Sequence, residues 1–355
     1  MRKSCHLFLW ISLLFVTILN NGCSKNDSGS VGNYTGWAVG KSYNGYGTIL
    51  NTQNDGFFWF RQVIPGTAPD VNINDVNVLD SKEAWVVGGV VNGFGLILRT
   101  LDGGINWDRV GDKDQIPNVE LLAIYAIDKQ TIWVAGKNNR ILYTTDQGMT
   151  WRNFKLDSIF QINFTSITVS GTMNLWITGE PVTRNPNDSI AVIMHSSDAG
   201  VTWSTQGLLD NLPGKIHNIF AVDDSTLYAA ADGYIYKTTN GGLKWYITFS
   251  NQNKRINAVC AEDVNDVWAI GNNDGLFHST NGGVHWDTIK PQVKGNNLLG
   301  ITANGSAQKV WIVGANSAGI GKGIILYTNN DGQTWFLQDY PVDAGLNKIS
   351  FAGTR

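Results

Sequence analysis

The residues best suited to chemistry in this sequence are aspartates and asparagines that recur in one short pattern. Each follows a serine or threonine by two residues and precedes a glycine and a tryptophan, in the form [Ser/Thr]-x-[Asp/Asn]-x-Gly-x-x-Trp. A carboxylate beside a hydroxyl could serve as a general acid or as a metal ligand. The seven copies contain Asn54 and Trp59, Asp102 and Trp107, Asp146 and Trp151, Asp198 and Trp203, Asn240 and Trp245, Asn281 and Trp286, and Asn330 and Trp335.

The exchange of Asp and Asn between the copies argues against both kinds of chemistry. Three copies carry Asp and four carry Asn. A general acid or a metal ligand tolerates that exchange poorly, whereas a hydrogen-bond acceptor in a turn needs only its oxygen. Glycine at the fifth position suits a positive φ, and the tryptophan supplies a large apolar surface. The pattern therefore predicts a structural turn, with neither a catalytic nor a metal site in it.

The spacing of the copies indicates a repeat protein. Successive tryptophans of the pattern lie 41 to 52 residues apart, and periods of roughly 20–50 residues are typical of solenoids, propellers or arrays. Each repeat contains four short β-prone segments bounded by Gly, Asn and Asp. A four-stranded antiparallel sheet repeated around an axis is a β-propeller blade. The sequence thus predicts an all-β fold, a seven-bladed β-propeller over residues 34–355.

The two ends of this domain predict how the ring closes. The first repeat enters directly at Trp37–Gly40, with no strand before it that matches the opening strand of the other repeats. The tail Leu346–Ala352 reads like such an opening strand. We expect it to pair with Trp37–Gly40 and complete the first blade, which would cover edges that otherwise invite aggregation.

The N-terminal residues read as a lipoprotein-type signal peptide over residues 1–22. A short basic start precedes the 13-residue apolar run Leu7–Leu19, and Gly22-Cys23 resembles a lipobox, although Asn20 stands where leucine is usual. We expect lipidation at Cys23, with residues 23–33 as a flexible tether; the alternative is ordinary secretion. The expected location is the bacterial cell envelope, lipid-anchored at the outer membrane on its periplasmic or surface side.

Composition restricts the class of ligand. Charged residues make up 15% of the chain, the formal net charge is −3, and no Lys/Arg cluster stands out, so nucleic acid is not an expected partner. No Cys/His spacing fits a metal site, and Cys260 lies in an apolar segment as a small hydrophobe. We expect no cofactor, no metal and a monomer.

The turn is the Asp box, or BNR repeat, and the whole repeat resembles a known family. Trp-x-Val-Gly followed by the box, as in Gly95–Trp107, resembles the Ycf48/HCF136-like family of photosystem II assembly factors. The resemblance implies a non-catalytic propeller that binds a protein partner during assembly of a membrane complex. It carries no binding residue over, because the loops cannot be matched residue by residue.

Binding residues are expected on the face opposite the boxes, where long and varied loops lie on a rigid frame. Exposed aromatic and basic side chains are the best candidates for contacts with a protein. Those placed there by loop position are Tyr43, Phe94, Lys137, Arg140, Arg184, Tyr234, Arg255 and Tyr340.

The alternative is a glycan-binding protein or a sialidase-like glycoside hydrolase, since sialidases share the Asp box. Against this, the nearest match to the sialidase Arg-Ile-Pro motif, Phe60–Pro65, follows the first box and has the wrong spacing. Two loop carboxylates could still form a hydrolytic pair. The sequence leaves the enzyme question open.

Overall fold

The computed structural model describes residues 34–64, 70–156, 161–182, 192–206, 212–291, 293–304, 308–318 and 321–353. The predicted signal peptide, tether and lipidation site at Cys23 lie outside these ranges. In the part of the chain that the structure describes, no helix has the length and apolar character needed to cross a membrane.

The described chain folds into β-strands connected by turns. The first sheet contains β1 (Gly36–Tyr43), β2 (Tyr46–Thr52) and β3 (Phe60–Arg61), with the last strand of the chain at its inner edge; the second contains β4 (Ile73–Val78), β5 (Ala84–Val91), β6 (Phe94–Thr100) and β7 (Asp108–Arg109). The third contains β8 (Leu121–Ala126), β9 (Ile132–Gly136), β10 (Arg140–Thr144) and β11 (Arg152–Lys155); the fourth contains β12 (Ile162–Ser170), β13 (Asn174–Pro181), β14 (Val192–Ser196) and β15 (Ser204–Gln206).

The remaining strands complete the ring. A six-stranded sheet contains β16 (Ile216–Ala221), β17 (Leu227–Thr238), β18 (Tyr246–Ala261), β19 (Val267–Gly271), β20 (Gly275–Ser279) and β21 (Asp287–Thr288). The last sheet contains β22 (Asn296–Asn304), β23 (Lys309–Asn316), β24 (Ile324–Thr328) and β25 (Phe336–Gln338), and β26 (Leu346–Phe351) returns to β1. The predicted all-β propeller is confirmed.

The number of sheets differs from the prediction of seven separate blades. Among the described residues, strand pairing gives six sheets, five with four strands and one with six. The difference arises at β18, which is 16 residues long and runs through the boundary between two repeats. Its first part pairs with β17, and Ile256–Ala261 at its end pair with β19. Two copies of the repeat therefore share one hydrogen-bonded sheet, a continuity that turn residues did not reveal.

A central channel of about 450 Å³ runs through the ring. Seven strands contribute to its wall: β4, β8, β12, β16, β18, β22 and β26. Polar side chains of the wall connect neighbouring inner strands. Both oxygens of Asp75 accept backbone hydrogen bonds, from Val76 and from Ile124 of the next inner strand, each at 2.9 Å. The Asn218 amide oxygen accepts one from Val259 N at 2.9 Å. These wall groups are engaged in holding the ring together.

The closing strand has the predicted pairing. β26 runs antiparallel to β1, with Gly36 opposite Phe351 and Gly40 opposite Leu346. Ala352 N extends the ladder by donating to Thr35 O at 2.8 Å. Gly36 is required here, because a Cβ at this position would lie 2.5 Å from the Phe351 ring.

Tryptophans fill the space between adjacent sheets. The second-strand tryptophan of one repeat meets the box tryptophan of the next edge to face in the pairs Trp85–Trp151, Trp133–Trp203 and Trp268–Trp335, with ring centroids 6.4, 6.4 and 5.8 Å apart. Such pairs favour offset or edge-to-face geometry because of the ring quadrupole. The box tryptophan therefore packs against the neighbouring repeat as well as against its own.

Candidate binding face

The propeller has two chemically different faces. The box face carries the seven Asp-box turns, which join the third and fourth strands of each repeat. The loop face carries the turns between second and third strands, such as Asn138–Asn139, and the connections from one repeat to the next. A binding site can use only those polar side chains that are not already engaged in contacts within the fold.

The polar groups of the box face are engaged in hydrogen bonds within each turn. In all seven boxes the Ser/Thr hydroxyl donates to the Asp/Asn Oδ1 over 2.7–3.1 Å. The same hydroxyl accepts from the glycine N–H over 2.8–3.0 Å. Oδ1 also accepts from the N–H four residues on, over 2.8–3.0 Å. An Asn oxygen serves this pattern as well as an Asp oxygen.

The box backbone contains one feature that sequence reasoning missed. The glycine at the fifth position has a positive φ in every copy, as in Gly148 at 81°. The fourth position also has a positive φ, and it is not always glycine: Asp55, Gln147, Ala199 and Asp331 occupy it at 55–62°. Side chains other than Gly are uncommon in this region. Two of the four, Asp55 and Asp331, lie close to ionisable side chains of the preceding repeat.

Acid titration is expected to separate the Asp boxes from the Asn boxes. Hydrogen bonds from Thr150 and Thr202, first from their hydroxyls and then from their backbone N–H groups, lower the pKa of Asp146 and Asp198 to about 2. A carboxyl with a lowered folded-state pKa contributes stability above its unfolded pKa, which is lost as pH falls through the folded value. The double variant Asp146→Asn/Asp198→Asn is expected to unfold like wild type at pH 7 and to lose less stability between about pH 4 and pH 2. Urea unfolding at several pH values measures this, and an unchanged acid limb would contradict it.

On the loop face, four ionisable side chains from three repeats meet beside the start of β16. His217, at the start of β16, lies with Nδ1 2.9 Å from Glu180 Oε1 and Nε2 2.7 Å from Asp232 Oδ1. Arg255 places Nη2 3.3 Å from the same Glu180 oxygen. His217 is buried, whereas Arg255 is exposed. Strands rather than free loops position all four groups, and Asp232 and Arg255 lie opposite each other within β17 and β18. The cluster is therefore a rigid feature.

The electrostatics of this cluster keep its carboxylates ionised. The hydrogen bond from His217 is the largest influence on Glu180 and, with the charges of His217 and Arg255, lowers the pKa of that carboxyl. For Asp232, burial acts to raise the pKa, but the hydrogen bond to His217 and the same charges outweigh it, so the pKa is lowered. Both carboxylates are committed to the cluster. Neither has the raised pKa that a general acid of glycoside hydrolysis needs.

A groove of about 520 Å³ lies on the same face between the second and third sheets. Lys137 and Glu120 line it, and their charges pair at 2.6 Å from Nζ to Oε2. Arg140 lies at the start of β10 and donates to Asn153 Oδ1 at 3.4 Å. Tyr234 stacks on Tyr236 with centroids 5.9 Å apart, and its hydroxyl accepts from Gln252. These predicted residues lie on the loop face at different positions around the ring.

Two predicted aromatic residues are covered by arginines. The Arg61 guanidinium lies 5.3 Å from the ring centroid of Tyr43, and that of Arg109 lies 3.7 Å from the ring centroid of Phe94. Both arginines also donate to the backbone of the same hairpins. Tyr43 and Phe94 therefore keep their hairpins in place and offer only part of their rings to a partner.

One predicted binding residue is wrong and another lies outside the described residues. Tyr340 is only 4% exposed, because it packs in the cluster around Val342 and Leu346 and donates its hydroxyl to Ala344 O at 3.0 Å. Arg184 falls in the undescribed range 183–191. Sequence reasoning missed His217 and Asp232, because the packing of β13 against β16 of the next repeat leaves no local signal.

The fold and the two faces define a protein of the β-propeller class. A family model described as "Photosynthesis system II assembly factor YCF48" matches residues 118–259, less than half of the chain. The photosystem II assembly lipoprotein Ycf48 of Synechococcus sp. (strain CC9902) is 33% identical over 112 residues, which are 31% of this chain and 31% of that protein. A probable oligoxyloglucan-reducing end-specific xyloglucanase of Neosartorya fischeri is 26% identical over 219 residues, 54% of this chain and 26% of that enzyme. The alignments thus span about a third or less of each curated relative.

A solved structure extends the likeness over most of the chain. "YCF48 bound to D1 peptide" superimposes with a TM-score of 0.62 at 20% identity, covering 81% of this chain and 87% of the other. At this identity the match establishes the fold. The relative that it names is bound to D1 peptide.

Proposed function

We propose that this protein is a non-catalytic propeller that binds a protein partner through its loop face. The observation that carries the proposal is the rigid cluster of Glu180, His217, Asp232 and Arg255 on the loop face. It presents the exposed guanidinium of Arg255 on a frame of paired strands, and Arg is enriched at protein interfaces. On the box face, the Ser/Thr hydroxyls and the Asp/Asn Oδ1 atoms of the seven turns are already used within the turns.

The partner class follows from the relatives. The matched proteins include assembly factors of photosystem II, and one is bound to a peptide in its solved structure. We propose that this chain likewise binds an exposed segment of an envelope protein, as an assembly or stability factor for a membrane complex. The charged cluster and the Lys137–Glu120 groove would recognise a polar, extended segment of mixed charge.

Lipidation of Cys23 is part of the same proposal. Tyr34, the first described residue, lies on the box face, where its N–H donates to Asp55 Oδ1 at 2.9 Å. A tether of 11 residues reaches at most about 40 Å. A lipid at Cys23 would therefore hold the box face toward the membrane and leave the loop face for the partner. The box face suits this placement, since Phe57, Ile105, Met149, Val201, Leu243 and Val284 are 74–85% exposed at the same position of six boxes.

We also propose that the six-stranded sheet acts as two blades, so that the ring has seven. Seven inner strands in the channel wall and seven box turns support this count. It matters for function because β18 crosses from one repeat to the next at Arg255, which fixes the guanidinium more firmly than a loop would.

Capture of a partner by matched variants tests the binding proposal. Tagged full-length protein is cross-linked in native envelopes and compared with Arg255→Ala and with Lys244→Ala, an exposed cation of the box face. We expect one envelope protein to be captured, with a loss of about tenfold or more for Arg255→Ala, as for an interface hot spot. Lys244→Ala should capture as wild type does.

Two results of the capture experiment would contradict the proposal. Equal capture by Arg255→Ala and Lys244→Ala would move the binding surface away from the charged cluster. Absence of any enriched protein, together with binding or cleavage of an oligosaccharide, would favour the glycan alternative that the xyloglucanase likeness raises.

A further inference from the structure

A second group of charged side chains lies on the box face and has no part in the proposed binding. Asp266 precedes β19, His278 lies in β20, and Asp331 is the fourth residue of the last box. One ligand atom from each lies within 4.8 Å of the others. His278 is 8% exposed and stacks on Trp268 with ring centroids 3.6 Å apart, and its Nε2 lies 2.9 Å from Asp266 Oδ1.

The neighbouring interface between repeats has the equivalent positions occupied by an ion pair. At the next interface around the ring, Asp55 is the fourth residue of the first box, as Asp331 is of the last. Lys309 stands two residues before Trp311, as Asp266 stands two residues before Trp268. There, Lys309 Nζ lies 2.8 Å from Asp55 Oδ2 and forms a buried ion pair. The same pocket therefore holds a cation at one interface, and at the other a second carboxylate stands where the amine would be.

A third carboxyl adds to the negative charge. Glu262 follows β18 at a position where other repeats carry Leu79, Ile127 and Val222. Its Oε1 is shielded from solvent and has no hydrogen-bond partner among the described residues. Burial, together with the charges of Asp266, Asp331 and Asp263, raises the pKa of this carboxyl to about 7. Within the described ranges, no lysine or arginine forms an ion pair with Glu262, Asp266 or Asp331.

We propose that Asp266, His278 and Asp331 bind a divalent metal ion of the zinc or manganese type, which bridges two neighbouring repeats. Imidazole nitrogen with carboxylate oxygens is a donor set that Zn²⁺ accepts, and carboxylates suit Mn²⁺. Ligand atoms about 2.1 Å from Zn²⁺ lie roughly 3.4 Å apart in a tetrahedron, so small side-chain rotations close the site. Glu262, on which the charges of Asp266 and Asp331 act, would be a further oxygen donor. The ion would replace, at this interface, the amine that Lys309 provides at the next.

Metal titration of the full chain tests this proposal. Protein treated with EDTA and dialysed is titrated separately with Zn²⁺, Mn²⁺ and Ca²⁺ by calorimetry, and its thermal unfolding is followed. We expect one ion of the first two to bind per chain and, at a hundredfold excess over Kd, to raise Tm by about 3–6 °C. Asp331→Asn should weaken binding at least tenfold, while the matched variant Asp55→Asn at the next interface should leave metal affinity unchanged.

Replacement of Asp266 by lysine distinguishes a loss of metal binding from a loss of folding. Asp266→Lys reproduces the Lys309–Asp55 arrangement opposite Asp331, so it should fold, melt no lower than the metal-free wild type and show no metal-dependent shift. Two results would overturn the proposal: none of the three ions binds, or binding is the same in wild type, Asp331→Asn and His278→Gln. Either would mean that no metal ion is held by this cluster.

Discussion

Deletion of residues 346–355 is expected to leave no folded monomer. Leu346, Ile349 and Phe351 of the closing strand are buried, and Phe351 stacks on Trp311 with ring centroids 4.0 Å apart. Loss of buried Leu, Ile and Phe side chains costs about 2–5 kcal/mol each, and their sum approaches the whole stability of a typical domain, about 5–15 kcal/mol. The deletion would also expose the edge of β1, which invites aggregation. Circular dichroism and size-exclusion chromatography measure the result.

A permuted chain provides the control for this deletion. Ala352 N donates to Thr35 O, so the end of β26 lies beside the start of β1. A chain in which residues 346–353 directly precede Tyr34, and which ends at residue 345, makes all four strands of the first sheet contiguous. We expect it to fold, as should a chain lacking only Thr354 and Arg355. A deleted chain that remains monomeric and melts like wild type would contradict the closure.

Lys309→Met is expected to destabilise the protein by about 3–5 kcal/mol. Lys309 and Asp55 are 11% and 4% exposed at their side chains, and their pair joins the last repeat to the first. Removing one partner of a buried ion pair leaves the other charge without compensation, which is the costly case. The Lys309 amine also lies 4.8 Å from the centroid of the Tyr34 ring, so the variant loses a cation–π contact as well. Urea unfolding measures the change in free energy.

The double variant Lys309→Met/Asp55→Asn completes the cycle. With both charges removed, most of the lost stability should return, since replacing a buried pair by neutral groups is often close to neutral. The interaction energy between the two sites should then exceed that of exposed pairs, about 0–1 kcal/mol. Additive effects of the two single changes would contradict a buried, coupled pair.

The parts of the fold that repeat were predictable from the sequence. Each box uses a hydroxyl, an Asp or Asn oxygen and a glycine at fixed spacing, so its hydrogen bonds are local and recur in all seven copies. The closing strand was predictable for a related reason, because Leu346–Ala352 has the same pattern as the opening strands. The box side chains accept hydrogen bonds from amides two and four residues further along the chain.

The features that differ between repeats were not predictable in the same way. The continuous sheet at β18 depends on how two neighbouring repeats join, and Tyr340 is buried because the final connection packs inward. The clusters around His217 and His278 assemble side chains that are far apart in sequence, such as Glu180 with Arg255 and Asp266 with Asp331. A single sequence shows the residue types but not these contacts between repeats.

The most direct test of the account is photo-cross-linking from both faces of the propeller. A benzophenone side chain is placed at Asn138 or Gln252 on the loop face, or at Leu243 or Val284 on the box face, all of which are exposed. The full-length protein in native envelopes should cross-link one protein partner from the loop-face positions and not from the box-face positions. A partner captured from the box face alone, or equally from both, would contradict the proposal that the loop face binds the partner.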